Sequence, residues 1–137
     1  GEQIAVETMR KKGFRVVDTN WKVGHLEMDV IAVNRKEIAF VEVKTRTSSF
    51  GDKRPEEFVD KLRRRRMAAA ANAYIKIHQI ELVPRFDIIG ISMDPNSYEV
   101  KELTHLEDAF LPPQRTIGKR SFSGQDRWKH RGRVIGK

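Results

Sequence analysis

Cysteine is absent from all 137 residues. That excludes a disulfide framework, a thiolate metal site and a cysteine nucleophile, and nothing argues for an oxidising compartment. No apolar run approaches the roughly 20 residues needed to cross a bilayer, and no signal-peptide pattern opens the chain. A soluble, cytoplasmic protein with no membrane partner is expected. Also missing is a glycine-rich loop after a strand, the device that cradles nucleotide phosphates. His25, His78, His105 and His130 fall on different segments, with Glu27 two residues after His25, so a zinc or HNH-type site lacks its ligands.

What is present is charge, unevenly spread. Of 27 Lys and Arg and 19 Asp and Glu, the segment Gln114 to Lys137 holds eight basic residues against Asp126 alone, a net of +7, while residues 1–113 net only +1. The composition of that segment cannot build a core. We therefore expect one domain over residues 1–113, with a core of ordinary size, and a flexible basic arm over residues 114–137. In the arm Lys119, Arg120, Arg127, Lys129, Arg131 and Arg133 would meet phosphates, and Trp128 would stack on unpaired bases. The plainer alternative is a solubilising extension.

The most informative stretch is Leu26 to Arg46, LEMDVIAVNRKEIAFVEVKTR. Two runs rich in Val, Ile and Phe flank Asn34-Arg35-Lys36, which predicts a β-hairpin. A two-residue loop at Arg35-Lys36 sets Ile31 opposite Phe40, Asp29 opposite Glu42 and Glu27 opposite Lys44. Period-two alternation then places Glu27, Asp29, Ile31 and Val33 on one face with Ile38, Phe40, Glu42 and Lys44. Met28, Val30, Ala32, Ala39, Val41 and Val43 form the other, wholly apolar face. Two carboxylates about 5 Å apart repel by about 3 kcal/mol at an effective dielectric of about 20. A cation between or beside Asp29 and Glu42 would relieve this, and hard oxygen ligands favour Mg²⁺, or Mn²⁺ in its place. The alternative is that Lys44 neutralises the pair and the cluster is a solvated strand end.

Asp29, twelve intervening residues and then Glu42-Val43-Lys44 resemble the active-site signature of the PD-(D/E)XK nuclease superfamily, which includes the archaeal Holliday junction resolvase-type nucleases. The flanking Glu27-Met28-Asp29-Val30-Ile31-Ala32, Phe40-Val41-Glu42-Val43-Lys44-Thr45-Arg46, Phe50-Gly51, Gly1-Glu2, Asn20 and Arg85-Phe86-Asp87 resemble more closely the YraN-like family of bacterial proteins. One departure is Leu26, where that family carries Gly. The resemblance implies that Asp29 and Glu42 hold the metal with the Val43 carbonyl, that Lys44 is catalytic, and that Glu2 completes the site. It also implies a phosphate contact for Lys61. Glu27 would stand behind the ligands, or replace Glu2. Glu2 has an alternative role as an acidic residue favouring a helix start.

Gly1 to Lys12 predicts an amphipathic helix with Ile4, Ala5, Thr8 and Met9 inward and Gly13 ending it. Phe14 to Trp21 predicts a strand. Pro55 predicts the start of a long helix running to Ile80, with Phe58, Leu62, Ala69, Ala73 and Ile77 as its buried stripe. Arg85 to Met93 predicts a buried strand docked in parallel, Ser97 to Glu102 an edge strand, His105 to Phe110 a helical turn, and Pro112-Pro113 the end of the domain. The expected class is α/β (α+β): a central mixed sheet of about five strands flanked by helices, in the order αβββαββ. That order agrees with a restriction-endonuclease-like core.

Two function classes follow. The first is a Mg²⁺-dependent endonuclease acting on nucleic acid, with DNA, branched or structured, as the expected substrate. Arg46 and Arg64 join Lys61 as its phosphate contacts in the domain, and the edge strand Ser97 to Glu102 would dock a homodimer. The second is a nucleic-acid-binding protein on a vestigial nuclease fold. A third reading, an RNA- or ribosome-associated factor, rests on the basic arm alone.

Overall fold

The computed structural model describes residues 1–47 and 59–110. The expectations for Phe50-Gly51, Pro55, Phe58, Pro112-Pro113 and the basic arm fall outside them. The elements are α1 (Glu2–Lys11), β1 (Arg15–Val23), β2 (Leu26–Val33), β3 (Glu37–Arg46), α2 (Lys61–His78), β4 (Val83–Met93) and β5 (Val100–Phe110). The strands form one mixed sheet in chain order. β1, β2 and β3 are antiparallel neighbours, β3 and β4 are parallel, and β5 returns antiparallel to β4. The parallel pair needs a crossover, and α2 supplies it. This is the expected α+β order αβββαββ.

The sheet is covered on both faces. On one, Ala5 and Met9 of α1 and the following Phe14 pack on Val30, Ala32, Ala39, Val41, Ile89 and Ile91. On the other, Met67, Ala70, Ala71 and Tyr74 of α2 pack on Ile31, Ile38, Phe40, Phe86 and Ile88. Gly13, at φ +92°, takes the left-handed conformation that turns the chain from α1 into β1. The hairpin loop is the expected Arg35-Lys36: the Asn34 carboxamide oxygen accepts from Lys36 N–H and Glu37 N–H, closing an Asx-type turn. The register runs as expected through Val33↔Ile38, Ile31↔Phe40 and Val30↔Val41.

Helix α2 buries a different stripe from the one expected. Leu62 and Ile77 are 50% and 59% exposed and Ala69 is exposed, whereas Met67, Ala70, Ala71 and Tyr74, spaced i, i+3, i+4, i+7, face the sheet. The deciding contacts are aromatic. Tyr74 packs edge-on to Trp21 at 5.0 Å and Phe40 at 6.1 Å between centroids, and its hydroxyl donates to Asp18 at 2.8 Å. Small Ala70 and Ala71 let the helix approach closely. Asp60 caps the helix by accepting from Arg63 N–H at 2.8 Å.

His105 to Phe110, expected as a helical turn, is the second half of β5. Its ladder is irregular between Phe86 and Ile88, and Asp108 has a φ of +52°. The bulge destroys the period-two pattern by which a strand is recognised.

Candidate active site

The site begins at an irregularity shared by β1 and β2. Thr19 pairs with Val30 and Trp21 with Met28, so Asn20 and Asp29 lie between two regular pairs. Asn20 is left-handed at φ +50°, a conformation that asparagine tolerates better than most residues. Alternation slips there. Asp18 and Trp21, three apart, both reach Tyr74 of α2, and Met28 and Ile31, also three apart, both belong to the cluster beneath α2. The expected face for Met28, beside Val30 and Ala32, is therefore wrong. Pure alternation assumes an uninterrupted strand, and this one turns over at Asp29.

The same slip ends the pairing of β2 with β3 at Val30↔Val41. Asn34 N–H donates to Glu37 O, so a continued antiparallel ladder would hydrogen-bond Val43 to Met28. Instead Val43 N–H donates to Asp29 Oδ2 at 2.8 Å. The Asp29 carboxylate thus occupies the place of a ladder acceptor between two strands. Glu27, expected opposite Lys44, is exposed and pairs with Lys22 of β1.

Glu42 follows on the α2 face, only 5% exposed. Its Oε1 accepts from Arg63 Nη2 at 2.6 Å and Nε at 3.2 Å, and Lys44 Nζ stands 3.9 Å from Oε2. Glu2 opens α1, whose first turn approaches β3: a Cβ at Gly1 would collide with Thr45 Oγ1. Asn20 Nδ2 donates to Glu2 Oε1 at 2.8 Å, so the left-handed residue that turns β1 also holds the carboxylate of α1. Asp29 registers the crowding. Burial pushes its carboxyl up to about 6; the Val43 N–H and Arg63 pull down, while Glu42 and Glu2 push further up.

Glu2, Asp29, Glu42 and Lys44 are therefore brought to one end of the sheet from three elements. Arg63, which the sequence reading passed over as one of four consecutive arginines, is the residue in closest contact with Glu42. Its signal was its position three residues after a capping Asp, on the half of α2 that faces the sheet. The other predicted cations stand differently. Lys61 is exposed at the start of α2, and Arg46 is half-buried at the end of β3. Arg64 donates to Val59 O at 3.0 Å and lies 5.3 Å from the Phe110 ring centroid. The phosphate-binding residues assigned to the arm lie beyond the described residues.

The donor set suits a hard divalent cation: two partly or wholly buried carboxylates, one held above its ordinary range by burial and by the neighbouring Glu42 and Glu2. Among the described residues no three His, Asp or Glu side chains stand close enough to chelate a metal by themselves. Mg²⁺ asks for one or two protein carboxylates and keeps water in its other positions. A cleft of about 530 Å³ lined by Gly13, Arg15 and residues 33–37 lies at the turn end of the hairpin, away from this cluster. No helix among the described residues is long and apolar enough to cross a membrane.

Comparison with known proteins gives a family and no activity. A family model described as uncharacterised protein family UPF0102 matches residues 1–91. A UPF0102 protein of Parabacteroides distasonis is 41% identical over 115 residues, covering 84% of this chain and 92% of that protein. One from Bacteroides thetaiotaomicron is 37% identical over 113 residues, 82% of this chain and 90% of that protein. One from Caldanaerobacter subterraneus is 38% identical over 112 residues, 80% of this chain and 90% of that protein.

Proposed function

The chain belongs to the uncharacterised protein family UPF0102, as the resemblance to YraN-like proteins implied, and we propose that it is a metal-dependent endonuclease that hydrolyses phosphodiester bonds in DNA, branched or structured DNA included. One observation carries this reading: the Asp29 carboxylate is wedged between β2 and β3, partly buried beside the buried carboxylate of Glu42, while Lys44 extends from the same face as Glu42. Asp29 and Glu42 would hold Mg²⁺ with the Val43 carbonyl. When bound, the cation supplies Lewis-acid activation of water and phosphate. Lys44, its side chain 35% exposed, would orient the attacking water and stabilise negative charge as the phosphate becomes pentacovalent. Glu2 would complete the acidic rim through Asn20. Glu27 contributes from outside, by its attraction to Arg63.

Incubation of supercoiled plasmid and four-way junction DNA with the protein and Mg²⁺ or Mn²⁺ tests the reading. Cleavage that EDTA stops is expected. Metal-independent nicking would overturn the metal-dependent mechanism, and no cleavage with either ion would favour the second reading: a nucleic-acid-binding protein in which Arg63 permanently neutralises Glu42.

The basic arm gives a separate prediction. If about five of its eight basic residues meet phosphates on duplex DNA, it contributes a slope of roughly −4 to −5 to log K against log salt. Truncation after Pro113 is expected to remove that contribution and to leave cleavage measurable at low salt. Unchanged salt dependence would move the phosphate contacts to the domain, to Lys61 and Arg64.

A further inference from the structure

Glu42 is the most buried carboxylate of the site, and Arg63 provides its close cationic contact. Both Arg63 contacts fall on a single oxygen, Oε1, at 2.6 and 3.2 Å, while Lys44 stays at 3.9 Å from Oε2, beyond hydrogen-bond reach. We propose that Arg63 is a competing occupant of the metal site: it holds Glu42 in the metal-free protein and is displaced from it when a divalent cation binds Asp29 and Glu42. The inference rests on the metal-dependent reading above.

The physical case is one of charge and room. A carboxylate as deeply buried as Glu42 is costly without a positive partner. Arg63 meets that need. A cation ligated by Glu42 Oε1 would sit within a few ångströms of the guanidinium that now occupies the same oxygen, and two like charges cannot share it. Arg63 can yield without disturbing the fold. Its backbone N–H is fixed by the Asp60 cap, whereas its side chain is long and 23% exposed. Glu27 and Asp29 also attract it, so a displaced guanidinium remains near the acidic rim. Metal affinity is then set by an exchange, and the acidic pair is shielded from self-repulsion in the metal-free protein.

Titration calorimetry of Mn²⁺ into the full chain tests this, with wild type, Arg63→Gln, Arg63→Lys and Glu42→Gln compared. Arg63→Gln is expected to bind Mn²⁺ about ten-fold tighter than wild type, the factor matching loss of one charge-assisted hydrogen-bonded pair. Arg63→Lys is expected to fall between them, and Glu42→Gln to lose binding. The rise in Tm on adding Mn²⁺ should follow the same order, tighter binding giving the larger rise. Equal or weaker binding by Arg63→Gln, with wild-type binding intact and lost in Glu42→Gln, overturns the exchange and leaves the metal site standing. Absence of Mn²⁺ binding by wild type, or undiminished binding by Glu42→Gln, overturns the metal reading and the exchange with it. Should Arg63→Gln fail to fold, Arg63→Lys decides: tighter than wild type supports the exchange, equal or weaker overturns it.

Discussion

Asp29→Asn is expected to abolish metal-dependent cleavage and, at pH 8, to raise the melting temperature of the metal-free protein. Loss of a metal ligand removes several kcal/mol of transition-state stabilisation, about a thousand-fold or more in rate. The stability gain follows from the strand slip. Asp29 must accept from Val43 N–H between two strands, and the Asn carboxamide oxygen does this without charge. Because burial, Glu42 and Glu2 raise the carboxyl to about 6, the native state favours the protonated form. The stability from Asp29 is therefore fully present below its ordinary value of 3.8 and is lost as pH rises through about 6. Fully charged at pH 8, it disfavours folding by about 1–2 kcal/mol once solvent screening of a half-buried group is allowed for. The gain should vanish at pH 4. Glu42→Gln should also end cleavage but lower the melting temperature, since it strips Arg63 of its partner. Added Mn²⁺ should stabilise wild type and neither variant. Normal cleavage by Asp29→Asn would end the site assignment; a fall in its melting temperature at pH 8 would end the account of Asp29 as a carboxylate whose charge is disfavoured by burial.

The same residues show what the sequence could and could not reveal. The hairpin was legible because Asn34-Arg35-Lys36 interrupts two β-branched runs, and a two-residue loop fixes register arithmetically. The parallel docking of β4 was legible because only a long crossover permits it. The turnover at Asn20 and Asp29 was not, since alternation is a rule for unbroken strands and one left-handed Asn suspends it. Its faint signal was an Asn followed by Trp21, a large aromatic that needed the buried side. In α2 the error came from ranking Leu62 and Ile77 by hydrophobicity, when edge-on contacts from Tyr74 and a carboxylate awaiting Arg63 selected another face. Arg85-Phe86-Asp87 was read as a strand match only. Its partners, Lys12, Glu37, His105 and Glu107, come from three other segments, and no local pattern joins them.

Those partners make Asp87→Asn the most destabilising single substitution expected, about 3–5 kcal/mol at pH 7. Asp87 is fully buried at the β4–β5 bulge. Its Oδ2 accepts from Arg85 Nη2 at 2.9 Å and His105 Nε2 at 2.7 Å, and its Oδ1 accepts from Asp108 N–H at 3.0 Å. With Nε2 as donor, His105 Nδ1 accepts from Lys12 Nζ at 2.8 Å, and Lys12 continues to Glu107 at 3.0 Å. Arg85 also reaches Glu37 at 3.1 Å and lies 4.8 Å from the Phe14 ring centroid. One carboxylate thus ties β3, β4 and β5 to the α1–β1 turn. Burial alone would raise its carboxyl, but hydrogen bonds from His105 and Asp108 N–H, with the Arg85 charge, outweigh it and hold the group below the ordinary value of 3.8. A depressed carboxyl contributes stability that is present above 3.8 and is lost as pH falls through its folded value. Wild type should therefore lose melting temperature steeply below about pH 4, and Asp87→Asn should start lower and show a shallower acid limb. An Asn turns one acceptor into a donor facing Arg85 and His105, depriving the buried Arg85 cation of its closest carboxylate against a total stability of about 5–15 kcal/mol. Replacing Arg85, Asp87 and His105 together with apolar residues should cost less than Asp87→Asn alone, because no unpaired charge remains. Equal melting temperatures for Asp87→Asn and wild type, with parallel acid limbs, would mean that the bulge is held by its apolar packing and that the charges merely occupy it.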